Sequence, residues 1–268
     1  DVNLVNNGDF SELGSELVVN GTFDTDSDWS KTQSGNDTIV IENGYALFNC
    51  PDNSNIFITQ PSVMTVGKTY TASFDIISID SGGFQFGSGG GGTISGSPTA
   101  NTVGTHTFTF VATTASFVIK RALGSPNLLN GKIDNVSVKE VDPNDYWVLS
   151  NGATVDNDRG NIVGDGSSFT NLKQVNVFTV GKTYKLTIDV TINSGLGLKF
   201  QDGSTDANFG SVTTSGSYTF YGVANNADFV IGRKTGGTAF DSSVDNIVVK
   251  EVKTDTPRID FTDNTDGH

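Results

Sequence analysis

The sequence predicts an all-β protein of two tandem β-sandwich (jelly-roll) domains, and three observations carry the prediction. Several segments recur at a nearly constant offset. Apolar and polar residues alternate with a period of two in both copies. The composition is that of strands and turns, with 32 Gly and 18 Phe but one Met and one Cys in 268 residues. Long stretches of the helix-favouring residues Ala, Leu, Glu and Lys are absent.

The repeat organises the chain. Thr65-Val66-Gly67-Lys68-Thr69-Tyr70 recurs letter for letter as Thr179-Val180-Gly181-Lys182-Thr183-Tyr184. Phe117-Val118-Ile119-Lys120-Arg121 recurs as Phe229-Val230-Ile231-Gly232-Arg233, and Asp134-Asn135-Val136-Ser137-Val138-Lys139-Glu140-Val141 as Asp245-Asn246-Ile247-Val248-Val249-Lys250-Glu251-Val252. The offsets are 114, 112 and 111 residues. An offset of that length marks a duplicated domain rather than a short solenoid repeat.

Within each copy the period-two signal predicts antiparallel strands with one face in a core and one in water. Tyr70, Ala72, Phe74 and Ile76 alternate with Thr71, Ser73 and Asp75, and Tyr184, Leu186, Ile188, Val190 and Ile192 with Lys185, Thr187, Asp189 and Thr191. Phe108 and Phe110 alternate with Thr107 and Thr109. Turn clusters at Asn43-Gly44, Ser81-Gly82-Gly83, Asn151-Gly152 and Gly236-Gly237 separate the strands. Many short strands in a unit of about 110–120 residues imply a two-sheet sandwich large enough to bury its own core.

The predicted boundaries are 1–142 for the first domain, with an N-terminal extension 1–14, 143–253 for the second, and a polar tail or linker at 254–268. The first copy opens with Glu16-Leu17-Val18-Val19-Asn20-Gly21-Thr22-Phe23-Asp24. The second is expected to lack such an opening and to enter at Asp145-Tyr146-Trp147, with Trp147 matching Trp29. The extreme N-terminus, Leu4-Val5-Asn6-Asn7-Gly8-Asp9-Phe10, echoes the first opening and reads as the start of a further repeat.

The net charge of −14, from 30 acids and 16 bases, argues against nucleic acid and anionic membranes as partners. No apolar run is long enough to span a membrane. The lone Cys50 allows no intramolecular disulfide. The chain begins at Asp1, as expected of a mature or trimmed piece of an exported protein.

The opening "LVVNGTFD", the Trp that follows it, "VGKTYTASFDI" and the closing "IDNVSVKEV" together resemble carbohydrate-binding modules of the family 4 and family 9 type, within the galactose-binding-like jelly-roll group. The resemblance covers the first copy and the second from Trp147 to Val252. It implies a non-catalytic sandwich that binds a polysaccharide, monomeric and covalently part of a larger extracellular protein. The alternative is a structural or adhesion module of a phage virion or cell surface without sugar affinity, to which the tail "TPRIDF" is similar.

The resemblance also implies a structural calcium ion. Its ligands would be Asp24 after the opening and Asp134 of the closing motif, with Thr22 as a carbonyl donor and Asp245 as the counterpart in the second copy. Hard oxygen ligands of this kind suit calcium. Equally, such acids can cap backbone donors in turns.

Glycan binding calls for aromatic faces on which sugar rings stack and for fixed polar groups that meet hydroxyls. Trp29, Trp147 and Phe86 are the aromatic candidates; Arg121 and Arg233 stand at equivalent strand ends, and Gln85 and Lys199 lie between apolar neighbours and so face away from the core. The Gly87–Gly92 run could border a groove. Read structurally, the aromatics would be core and the run a hairpin loop.

Three other motifs fail on their own chemistry. Gly67-Lys68-Thr69 has Ser62 where a phosphate loop needs Gly, and its duplicate has Asn176. The EF-hand-like Asp24–Asp28 run has Trp29 at the position that needs Gly. The two His residues, His106 and His268, belong to no catalytic pattern, and no nucleophile elbow is present, so the chain is expected not to be an enzyme.

Overall fold

The computed structural model describes residues 2–122, 128–142, 144–204, 208–234 and 236–253. The tail 254–268 lies outside the described residues. Among the described residues every regular element is a strand, and the strands form four five-stranded antiparallel sheets, two in each β-sandwich. By contacts the chain divides into two compact units. One is Asp9–Asp145 with Thr154–Gly160; the other is Asp1–Gly8, Tyr146–Ala153 and Asn161–His268, as far as these are described.

In the first module, β1 (Ser30–Thr32), β4 (Phe57–Gln60), β9 (Phe117–Arg121), β6 (Phe84–Ser88) and β7 (Gly92–Thr93) form one sheet in the order β1-β4-β9-β6-β7. The other sheet runs β2-β3-β10-β5-β8, with β2 Thr38–Glu42, β3 Tyr45–Cys50, β10 Leu129–Glu140, β5 Thr69–Ser81 and β8 Gly104–Val111. The second module repeats both orders. One of its sheets is β11 (Val148–Ser150), β14 (Asn171–Gln174), β19 (Phe229–Arg233), β16 (Leu198–Gln201) and β17 (Gly210–Val212). The other is β12 (Thr154–Asp156), β13 (Arg159–Gly164), β20 (Phe240–Glu251), β15 (Thr183–Ser194) and β18 (Gly216–Val223).

The alternating residues close the cores as the sequence predicts. Tyr70, Ala72, Phe74 and Ile76 of β5 meet Phe84, Phe86, Phe117 and Ile119 of the opposite sheet in one buried cluster. Tyr184, Leu186, Ile188 and Val190 are buried in the second module. The repeated Thr-Val-Gly-Lys-Thr-Tyr is a turn entering a strand. Gly67 and Gly181 take φ of +89° and +84°, and the Tyr70 and Tyr184 hydroxyls accept the N–H groups of Thr65 and Thr179 at 2.8 and 2.7 Å. A strand, not a helix, follows each glycine, so no phosphate cradle forms.

The repeated Asp-Asn is a register shift. Asn135 and Asn246 take φ of +52° and +51°, a conformation Asn tolerates better than most residues. The preceding Asp accepts each Asn N–H at 2.6 Å, and the Asn amide reaches Asp75 or Asp189 on the neighbouring strand.

The first opening runs beside the second half of β10. Leu17 N–H donates to the Val138 carbonyl at 3.0 Å, Val138 N–H to Glu16 Oε1 at 2.8 Å and Val136 N–H to the Gly21 carbonyl at 2.9 Å. The Gln60 amide clasps both backbone groups of Val19. The Trp29 indole N–H caps the Asn20 carbonyl at 3.0 Å.

The same set of bonds recurs on β20, made by the N-terminus of the chain. Leu4 N–H donates to Val249, Val249 N–H to Asn3 Oδ1, and Ile247 N–H to Gly8, each at 2.9 Å. Gln174 clasps Asn6, and the Trp147 indole N–H caps Asn7 at 3.0 Å. The second module therefore does have its opening. Residues 2–8 are neither an extension of the first module nor the start of a further repeat. They complete the second module, and the first is inserted in sequence between that opening and Trp147. Gly8 and Gly21 are required by the close approach: a Cβ there would stand 2.3 Å from the Ile247 oxygen or 2.1 Å from the Val136 oxygen.

Candidate functional site

Several expected glycan contacts are core residues. Trp29 and Trp147 are 6% and 4% exposed, and each indole N–H is spent on an opening segment. Phe86 is fully buried, with ring centroids 4.9 Å from Phe74 and 5.8 Å from Phe108. None of the three offers a ring face to a sugar. Phe86 falls on the inward phase of β6, and the two indoles stand just before β1 and β11, turned in to bond the opening segments.

The duplicated arginines do matching structural work. Arg121, 4% exposed, donates Nε–H to Ser54 at 2.8 Å and Nη2–H to Asn53 at 2.9 Å, fastening the β3–β4 loop. Arg233 donates Nε–H to Ser168 at 2.7 Å in the equivalent β13–β14 loop and lies 6.0 Å from the Phe240 ring centre.

Gln85 and Lys199 do face away from the core, each in a cross-strand row. In the first module the row is Phe57–Lys120–Gln85 across β4, β9 and β6. Lys120 is 1% exposed; its ammonium donates to the Gly91 carbonyl at 2.5 Å and to Thr93 Oγ1 at 3.3 Å. Burial, aided by the neighbouring Arg121 charge, pulls its pKa below the usual lysine value. The Gly-rich segment lies directly over this row. A Cβ on Gly91 would stand 2.4 Å from the Phe57 ring, and φ there is +86°. This run does not border an open groove; it roofs the sheet face.

The second module has Gly232 in place of Lys120. The Phe169 ring packs over it, so that a Cβ would meet the ring at 2.4 Å. Lys199 lies opposite Gly232 on β16, with Nζ 4.9 Å from the centre of the Phe169 ring. Phe169 is half-buried, so this face keeps a partly open ring with an ammonium over it. Sequence reasoning missed Phe57, Lys120 and Phe169. The signal for Lys120 was present: it follows inward Phe117 and Ile119 in strict alternation, which places it on the Gln85 face.

Around the expected calcium ligands, Thr22 donates its hydroxyl to Asp24 Oδ2 at 2.8 Å. Asp134 is half-buried, and burial first, then the charges of Asp75 and Asp24, raise its pKa, against the lowering bond from Asn135 N–H. Asp245 makes the same backbone contact to Asn246. Where the first copy has Thr22 and Asp24, the second opening has Asp9 and Ser11. Among the described residues no group of three or more His, Cys, Asp or Glu is arranged to hold a metal ion. Among them, too, no helix is long and apolar enough to cross a membrane.

No protein-family model matches the chain. No curated protein matches it. Among solved structures, the CBM22-1–CBM22-2 tandem domain from Paenibacillus barcinonensis Xyn10C aligns with 90% of this chain and 99% of its own, at 7% identity and a TM-score of 0.36. A CBM4 structure aligns with 51% of this chain and 99% of its own, at 23% identity and a TM-score of 0.30. Allantoicase from Saccharomyces cerevisiae aligns with 92% of each chain, at 12% identity and a TM-score of 0.29. At these identities and TM-scores none of the three assigns a role to this chain.

Proposed function

We propose that the chain is a non-catalytic polysaccharide-binding protein and an accessory part of a larger secreted or surface protein. The observation that carries this reading is the Phe169–Lys199 pair on the open face of β14-β19-β16. The exposed part of the ring gives sugar C–H faces a surface to stack on, and the ammonium over the ring places N–H donors at its rim. The first module's matching row lies under Gly91, so the second module is the binding one. The ordered motif resemblance, from the Gly21 opening to the Asp134 closing, supports the same reading.

The test is affinity electrophoresis of the full chain against a panel of neutral polysaccharides, with reducing ends assayed in parallel. Retention by at least one polysaccharide, weakened in Phe169→Ala and without product release, is expected. Absence of retention on every polysaccharide overturns the reading, and release of sugar overturns its non-catalytic part.

The same reading includes a structural calcium ion held by Asp24 and Asp134 with a Thr22 oxygen. The support is the motif resemblance, which pairs the acid after the opening with the Asp of the closing motif, and the nearness of the Asp24 charge to Asp134. Asp245 is the corresponding ligand proposed for the second module.

A further inference from the structure

The outer face of the second module's other sheet carries a feature that neither the core nor the Phe169 face uses. Tyr221 on β18 is 62% exposed and is the one exposed aromatic side chain among the described residues. Its cross-strand partner on β15 is Lys185, whose partner on β20 is Lys250. The row is therefore ring, ammonium, ammonium across three adjacent strands. Like charges directly opposite each other on neighbouring strands destabilise a sheet. Among the described residues neither lysine is in an ion pair that would offset this.

The first module shows what the same positions look like without the feature. Thr109 stands at the Tyr221 position, Thr71 at the Lys185 position and Lys139 at the Lys250 position. There the two threonine hydroxyls bond each other at 2.9 Å, and the row is closed on itself. In the second module Lys185, Thr187, Val248 and Lys250 instead line a shallow depression of about 290 Å³ beside Tyr221.

We infer that this Tyr221–Lys185–Lys250 row is a second glycan-binding face, selective for polysaccharides with carboxylate-bearing sugars. The exposed ring offers a stacking surface for one sugar. The two ammoniums offer charge-assisted bonds to a carboxylate on the next, and Thr187 and Thr219 supply hydroxyl partners in the adjoining row. The depression is shallow and open, which suits an extended polymer better than a small molecule needing an enclosing pocket. The net charge of −14 opposes every polyanion at long range, so the two ammoniums act on the carboxylates at contact distance. The inference extends the polysaccharide reading to a different sheet and is tested separately from it.

The experiment is affinity electrophoresis of the full chain in gels containing polygalacturonate, or the same polymer with its carboxyls methyl-esterified. Tyr221→Thr, Lys185→Thr and Phe169→Ala are run beside the wild type. The first two install the first module's residues at matching positions, so their melting temperatures stay near wild type. Retardation by polygalacturonate, weakened about tenfold by either Thr variant, by esterification and by salt, and unchanged in Phe169→Ala, is the expected result. No retardation by polygalacturonate, or retardation equal in wild type and both Thr variants, overturns the inference. So does loss of retardation in Phe169→Ala, which places the acidic glycan on the other face. Retention of a neutral polysaccharide alongside any of these outcomes leaves the proposed function standing.

Discussion

The indole N–H of Trp147 donates to the backbone carbonyl of Asn7, 140 residues earlier in the chain. Trp29 makes the same bond to Asn20, only nine residues away. The two contacts are one structural device reached by two routes. In the first module the opening segment is local; in the second the whole first module intervenes in sequence.

The two glycines beneath these bonds should separate the modules. Gly8→Ala forces a Cβ against the Ile247 carbonyl, and Gly21→Ala forces one against Val136. Each is expected to cost about 2–3 kcal/mol by overpacking against backbone, and each only in its own module. Denaturant unfolding followed by Trp fluorescence checks this, with Trp29→Phe or Trp147→Phe backgrounds isolating one reporter each. Equal loss in both modules from either substitution would contradict it.

Asp202 holds a loop of the second module together. It is fully buried, and its carboxylate accepts N–H groups from Asn225, Asn226 and Ser204 at 2.5, 3.1 and 3.2 Å. Burial alone would raise its pKa; the hydrogen bonds from Ser204, Asn225 and Asn226 outweigh it and hold the value below 3.8. A depressed carboxylate stabilises the fold above the unfolded pKa and loses that contribution as pH falls through the folded one. Asp202→Ala should cost about 2–3 kcal/mol at pH 7, with the difference from wild type shrinking below pH 3.8. Melting curves from pH 7 to pH 2.5 measure both.

Lys120 has the opposite sign. Its folded pKa is depressed, so at neutral pH the buried ammonium is a cost, one that diminishes as pH rises through the folded value towards 10.5. Lys120→Met should therefore raise the melting temperature of the first module at pH 7, by less as pH approaches 10. A lower melting temperature at pH 7 would show that the bonds to Gly91 and Thr93 outweigh desolvation.

Asp134 tests the calcium proposal. Its raised pKa means that the ionised carboxylate destabilises the fold above that value, and the strain is relieved as pH falls. In chelator at pH 7, Asp134→Asn should melt at or above the wild type. With millimolar calcium the wild type should rise and the variant should not. A wild type unmoved by calcium would count against the ion.

The duplication, the all-β class and the core phase were legible because they rest on identical strings and period-two alternation, as at Tyr70–Ile76 and Tyr184–Ile192. The Asn7-Gly8 echo of Asn20-Gly21 was also visible. Its partner was not, because the bond to Trp147 depends on which β20 edge the N-terminus reaches, and spacing along the chain says nothing of that. The burial of Trp29, Trp147 and Phe86 was missed for a related reason. An aromatic is equally suited to a core and to a stacking face, and only the opposing sheet decides between them.

Removal of residues 1–8 tests the inserted arrangement most directly. In a Trp29→Phe background, residues 9–268 should show the Trp147 transition lowered by more than about 5 °C. A peptide of residues 1–10 should restore it, while the first module, followed through Trp29, stays unchanged. A Trp147 transition unaffected by the deletion would contradict the assignment of the N-terminus to the second module.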